Sequence, residues 1–286
     1  MSILRVVSYN IHKGRSALGA RDSLKELRLG LYGLRPDLVF LQEVQGRNES
    51  RNVLDAQHMS LAAALHMQMC YGRNAVRDRS DHGNALLSRY PILDFENQDI
   101  SDHRMEQRGL LHATVDVGKH EVHCFVVHLG LFAGSRTRQI QALVDRIDRM
   151  VPAGAPMVIA GDFNDWNDRL APLFVQRLGV YEVFSHASKL VGGEGPRLRE
   201  SMRRLSNVLR GVPNSLAMLE RTNQLTMDGS YRAAPPPRTF PAVFPWFRLD
   251  RIYQRGFGVR SARVLRGRAW SKLSDHAPLL AELELP

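Results

Sequence analysis

Apolar positions along the chain fall into short β-rich runs and longer stretches with helical spacing, and the two alternate. Residues 3–9 predict a strand, 24–34 carry apolar side chains at helical intervals, and 37–42 return to strand character after Pro36. The chain therefore opens β-α-β, with a second helix expected over 54–67. Strands are then expected at 67–71, 85–88, 110–117 and 121–128, separated by turn-rich segments such as Asp81-His82-Gly83-Asn84 and Val117-Gly118-Lys119. That closely spaced middle region is antiparallel in character. Ile140, Leu143, Val144, Ile147 and Val151 share one face of a helix predicted over 136–150, which leads into a strand at 156–160. Three more strands are expected near the end, at 249–254, 259–265 and 279–285.

Between them the composition shifts. Residues 187–238 carry 9 Lys+Arg against 4 Asp+Glu, half of the chain's excess of basic residues in under a fifth of its length. Leu198, Met202, Leu205, Val208, Leu209 and Val212 fall at helical spacing there with Arg opposite, and Pro235-Pro236-Pro237 closes the segment stiffly. The strands that follow are too few to fold alone. The expectation is one domain over residues 1–286 with a basic helical insertion at about 187–238.

Length and composition agree with that: 286 residues, 44% hydrophobic and 24% charged, suit one large soluble α/β domain and exclude a disordered or fibrous chain. A formal charge of +10 favours anionic partners: nucleic acid, phosphorylated molecules or acidic membrane surfaces. No obligate protein partner is evident. No apolar run approaches the ~18 residues needed to span a bilayer. No basic stretch followed by a long apolar one opens the chain, and the two cysteines, Cys70 and Cys124, suit buried thiols in a reducing compartment. A cytoplasmic protein is expected.

The candidate chemistry sits where apolar runs end in an acid, amide or histidine: Ser8-Tyr9-Asn10, Leu41-Gln42-Glu43, Val127-His128, Gly161-Asp162-Phe163-Asn164, Leu249-Asp250 and Ser274-Asp275-His276. Rigid strand ends are where sites are usually built. Each piece alone has a plain structural explanation: a turn-forming Asn10, a capping Glu43, an Asx turn at 161–164, a core His128, a loop ion pair at 275–276. Carboxylate and amide oxygens are hard ligands suited to Mg²⁺ or Mn²⁺, and the lack of Cys partners or of His pairs at i, i+4 argues against zinc.

The series Ser-Tyr-Asn-Ile-His (8–12), Leu-Gln-Glu-Val (41–44), Gly-Asn-Ala-Leu-Leu-Ser-Arg-Tyr-Pro-Ile (83–92), Val-His-Leu (127–129), Gly-Asp-Phe-Asn (161–164), Leu-Asp-Arg-Ile (249–252) and Ser-Asp-His-Ala-Pro-Leu (274–279) resembles the endonuclease/exonuclease/phosphatase superfamily. Seven motifs in the family's order, from Arg5 to Leu283, make the likeness specific. It implies a four-layer αββα sandwich of the deoxyribonuclease I type and a hydrolase with one catalytic Mg²⁺ (or Mn²⁺). It further implies Glu43 as principal metal ligand with Asn10 beside it and Asp275 as the acid next to the metal. Asp162 and Asn164 would orient water and phosphate, and His276 would act at the scissile phosphate with Asp250 as its carboxylate partner. His128 stands where deoxyribonuclease-like and sphingomyelinase-like members carry histidine and abasic-site endonucleases carry tyrosine. Asn84 and Arg108 are candidates for the substrate phosphate, with Arg89 in the same matched stretch.

The chemistry is coherent in itself, because a phosphodiester repels hydroxide until cations neutralise its oxygens and a base deprotonates water in line with the leaving group. His276 or Asp162 would be that base. The expected activity is a phosphodiesterase on nucleic acid or a phospholipid headgroup. A phosphomonoesterase for a small molecule, or a non-catalytic anion- or membrane-binding protein on the same scaffold with the basic insertion as its membrane contact, are the alternatives.

Overall fold

A computed structural model describes residues 2–49, 56–103, 106–166, 170–187 and 235–285. In chain order the strands and helices are β1 (Ile3–Asn10), α1 (Leu24–Leu34), β2 (Leu38–Asn48), α2 (Gln57–Leu65), β3 (Gln68–Arg77), β4 (Ser80–Ser88), β5 (Ile92–Asp99), β6 (Gly109–Val117) and β7 (His120–His128). Then come α3 (Ala133–Met150), β8 (Met157–Asp162), α4 (Ala171–Leu178), β9 (Tyr181–Glu182), α5 (Val183–Ala187), β10 (Asp250–Arg255), β11 (Gly258–Val264) and β12 (Leu279–Glu284). The insertion expected at 187–238, with its helix-spaced Leu198–Val212 stretch, lies outside the described residues save its two ends.

The strands form two six-stranded mixed sheets, ordered β11-β12-β1-β2-β4-β3 and β5-β6-β7-β8-β10-β9. Three buried apolar clusters fill the spaces between layers and define the αββα sandwich. Leu27 and Leu31 of α1 and Leu61 and Leu65 of α2 pack on Val7, Val39 and Leu41. Phe40, Leu86, Leu111, Val126, Val158 and Ile252 meet between the sheets. Ile140, Leu143, Val144 and Ile147 of α3 cover Phe125, Ile159 and Tyr253 on the far side, as their spacing in sequence requires. Among the described residues, no helix is long and apolar enough to cross a membrane, and both cysteines are free and buried.

One expectation needs correction. The Asp81–Asn84 segment read as a turn runs inside β4, and β3 continues to Arg77 to pair with it. The strand β5 and the helix α4 carry no prediction at all; β5 is an edge strand whose side chains are mostly exposed, so little apolar patterning marks it.

Each sheet contains one βαβ unit, β1-α1-β2 and β7-α3-β8, whose strands pair in parallel. β7 and β8 end side by side at His128 and Asp162, whereas β1 ends at Asn10 opposite Gln42 while β2 continues to Asn48. The pairing of β7 with β8 depends on Gly161: it adopts φ +152°, and a Cβ there would sit 1.9 Å from the Val127 carbonyl oxygen. Gly161→Ala should push β7 from β8 and lower the melting temperature by more than about 5 °C, a loss of roughly 2 kcal/mol or more. A thermal melt by circular dichroism with no measurable shift would contradict this packing.

Candidate active site

Strand register assembles the site. On the second sheet His128 pairs with Asp162 across β7 and β8, and Asp162 pairs with Asp250 across β8 and β10, so three polar residues stand abreast. On the first sheet Asn10 ends β1, opposite Gln42 of β2. Register between β2 and β4 jumps from Leu41↔Ala85 to Val44↔Gly83, so Gln42 and Glu43 together oppose Asn84. That is a β-bulge, and it holds Glu43 at φ +53°, a conformation a non-glycine residue adopts only when its surroundings enforce it.

The two sheets meet through Asn10, whose Nδ2 lies 3.5 Å from Glu43 Oε1 and 3.3 Å from Asp162 Oδ2. Asn10 is itself held, its Oδ1 accepting the His12 N–H at 3.1 Å and its carbonyl the Ser274 hydroxyl at 2.7 Å. Ser274 Oγ also accepts the His276 N–H (3.2 Å). His276 Nδ1 is 2.9 Å from Asp250 Oδ2, and its Nε2 is 3.7 Å from Asp162 Oδ2. His128 Nε2 approaches the same Asp162 oxygen at 3.6 Å. All four side chains are buried.

Charge follows from this crowding. Burial alone would lower the His276 pKa, but the carboxylates of Asp250 and Asp162 outweigh it and raise it to about 10. Asp250 fixes a proton on Nδ1, so the second proton of the imidazolium sits on Nε2, facing the cleft. Burial, with Asp250 adding to it, holds Asp162 above the usual carboxylate range against the opposing charge of His276. Burial and the nearby Arg108 push His128 well down, leaving it neutral. For Glu43, burial favours the neutral acid, yet surrounding cations hold its carboxyl far below the ordinary range. With His128 neutral at pH 7, the cations acting on Glu43 are Lys13, whose Nζ is 3.0 Å from Oε2, and His276.

Asp162, Asp250 and His276 offer ligand atoms that all lie within 4.8 Å of one another, a group able to hold a metal ion. Glu43 adjoins this group through Asn10 and pairs with the Lys13 ammonium. A His276 protonated on both nitrogens cannot ligate, so the donors that fit a hard divalent cation are the carboxylate and amide oxygens, those of Glu43 and Asn10 among them.

Other expected residues fall into less direct positions. Asn164, at φ +50°, donates its side-chain amide to Leu129 O (2.8 Å) and its backbone N–H to Asp162 Oδ1 (3.1 Å), bracing the carboxylate. Asp275 is only partly buried and meets Ser274 Oγ at 3.2 Å and His12 Nδ1 at 3.8 Å. Asn84 is fully buried, and its Nδ2 donates to Gly109 O and Val126 O, so it ties the sheets together instead of standing open to a phosphate. Arg108 is paired with Glu106 at 3.0 Å. Arg89 is paired with Asp37 at 3.2 Å, at the opposite end of β2 from Glu43.

Two residues at the site are not among those the sequence motifs single out. Lys13 follows directly on the Ser-Tyr-Asn-Ile-His motif, at φ +56°. His82 is hidden in an apparent turn; burial and the cations Lys13, Arg77 and Arg108 pull it down to about 4 while Glu43 opposes them. It lies two residues before Asn84 on β4 and so shares that residue's face.

In metal-free protein, NMR should find His276 protonated at pH 8, and Asp250→Asn should return its titration below pH 7. Because the folded-state value exceeds the unfolded ~6.5, this pair stabilises fully below pH 6.5 and loses its contribution as pH rises toward about 10. A His276 that titrates near 6.5 in the unaltered protein would refute the arrangement.

A model of the Endonuclease/Exonuclease/phosphatase family matches residues 7–276. The uncharacterized protein YbhP of Escherichia coli (strain K12) is 36% identical over 291 aligned positions, covering 98% of this chain and 96% of YbhP. Among solved structures, an endonuclease/exonuclease/phosphatase from Beutenbergia cavernae superposes with TM-score 0.69 at 18% identity, covering 100% of this chain and 72% of that one. One from Bacteroides vulgatus gives 0.67 at 16%, covering both chains fully. A humanized D. rerio TDP2 gives 0.63 at 18%, covering 99% of this chain and all of that one.

Proposed function

The chain belongs to the endonuclease/exonuclease/phosphatase family, whose members are phosphoester hydrolases, and on that premise we propose that it is a Mg²⁺- or Mn²⁺-dependent phosphodiesterase acting on nucleic acid or a phospholipid headgroup. The observation that carries the reading is the buried cluster in which His276 Nδ1 lies 2.9 Å from Asp250 Oδ2 and its Nε2 3.7 Å from Asp162 Oδ2.

Glu43 and Asn10 would hold the divalent cation, with Asp275 as the nearby acid. When bound, that cation would neutralise phosphate charge and make water more acidic. His276 cannot serve as base while it carries both protons; its Nε2–H instead donates to the phosphate, stabilising the charge that grows on the oxygens of the transition state. Asp162, disfavoured as a buried anion and braced by Asn164, takes the proton from the attacking water. Neutral His128 offers a hydrogen bond on the other side of Asp162. Lys13, whose Nζ is 3.0 Å from Glu43 Oε2, would add positive charge near the substrate phosphate.

Plasmid DNA, RNA, sphingomyelin, glycerophospholipids and inositol phosphates, each assayed with and without EDTA, test the reaction class. Turnover should depend on the metal, and both Glu43→Gln and His276→Ala should lower it by about 100-fold or more while melting within a few degrees of the unaltered protein. EDTA-resistant turnover, or near-normal rates in Glu43→Gln at limiting Mg²⁺, would contradict the assignment.

A further inference from the structure

Residues 239–249 form a tight hairpin just ahead of Asp250. The N–H groups of Trp246 and Phe247 both donate to Phe240 O at 2.8 Å, and Thr239 N–H donates to Phe247 O at 2.8 Å. Its base is bonded into the catalytic cluster: Asp250 N–H reaches Thr239 Oγ1 at 3.3 Å, Ala277 N–H reaches Thr239 O at 2.9 Å, and Ala242 N–H reaches Asp275 O at 2.6 Å. The Phe240 ring lies 4.9 Å from His276. The hairpin is thus fixed at the rim of the cleft.

Its tip is Val243-Phe244-Pro245-Trp246-Phe247, with Phe244 66% and Trp246 59% exposed and Val243 and Phe247 also in water. Phe244 and Trp246 pack edge to face at 5.2 Å, and the exposed Trp166, on the loop after β8, leans on Phe247 at 5.5 Å. Leu131 and Phe132 are exposed after β7, at the same end of the same sheet. Among the described residues, both exposed tryptophans and two of the four exposed phenylalanines, Phe244 and Phe247, therefore gather on and against the hairpin tip. Scattered apolar side chains on a surface are ordinary, but a contiguous aromatic ridge marks a partner.

We propose that this hairpin docks the protein on an anionic phospholipid surface and delivers lipid phosphodiesters to the cleft. Val243, Pro245 and Leu131 have no ring face on which a base could stack, whereas all of these side chains can enter the headgroup–acyl boundary, where tryptophan and phenylalanine are favoured. A single-strand groove alternates stacking rings with cations, whereas residues 243–247 of the tip carry no Lys or Arg. Arg238 and Arg248 flank the hairpin, Arg266 Nη2 donates to Arg238 O at 3.2 Å, and the chain carries +10 overall. Apolar tips enter first and guanidiniums follow onto the headgroups. The docking stands on the hairpin alone; that the docked lipid is the substrate rests on the phosphodiesterase reading above.

The test sediments the full chain with vesicles of phosphatidylcholine mixed with phosphatidylglycerol, and assays bis(p-nitrophenyl) phosphate as a soluble diester. The double variant Phe244→Ser, Trp246→Ser should bind vesicles at least about tenfold more weakly and cleave vesicle phospholipid more slowly, with its melting temperature and its rate on the soluble diester unchanged. Equal sedimentation of variant and unaltered protein would overturn the proposal. So would vesicle binding by neither, with the two rings required for binding a single-stranded oligonucleotide. If the unaltered protein cleaves no soluble diester but its sedimentation still depends on Phe244 and Trp246, docking stands and the phosphodiesterase reading falls.

Discussion

Everything at the site depends on one parallel strand pair in each sheet, whose register sets polar side chains beside one another. β1 and β2 present Asn10 and Glu43; β7 and β8 present His128 and Asp162. Asn10 is the point where the two pairs touch, within 3.5 Å of Glu43 and 3.3 Å of Asp162. Because sheet positions are fixed by ladders of backbone hydrogen bonds and by three packed interlayer cores, these side chains are placed to within the tolerance that catalysis demands. The antiparallel partners β10 and β12 then add Asp250 and the Ser274–His276 turn to the same end.

The arrangement concentrates groups that a folding chain would otherwise avoid burying together. Asp162, Asp250, His276 and His128 are all buried, and Asp250 Oδ1 has no hydrogen-bond partner among the described residues. Such groups are unfavourable in a low dielectric unless charge opposes charge. Glu43 and Asn164 add left-handed backbone conformations to that burden. Strain and desolvation gathered at one spot, on an otherwise apolar scaffold, mark where stability has been traded for chemistry.

The strand-end residues are legible in the sequence because buried strands read as unbroken apolar runs, and the polar residue that ends each run stands out. Asn10, Glu43, His128, Asp162 and Asp250 are all recognisable as candidates in this way. His82 is not legible, because Gly83 and Asn84 beside it carry turn chemistry. Gly83 is needed for another reason: a Cβ there would lie 1.9 Å from Gly72 O on β3. Asn84 faces inward to join the sheets, which no local pattern reveals. Lys13 and the bulge at Glu43 are products of tertiary register, and the edge strand β5 has too few buried side chains to leave a signature. The αββα sandwich itself follows from the family's motifs appearing in order, more than from any single element.

The central claim is that the ends of the two sheets form one chemical unit. A double-mutant cycle with Glu43→Gln and Asp162→Asn, read as kcat/KM on a small soluble diester, tests it most directly, since residues that act together lose activity together. The account predicts strong non-additivity, with the double variant about as impaired as the worse single one. Losses that multiply independently would mean that the two carboxylates serve separate roles and that the sheets do not share a site.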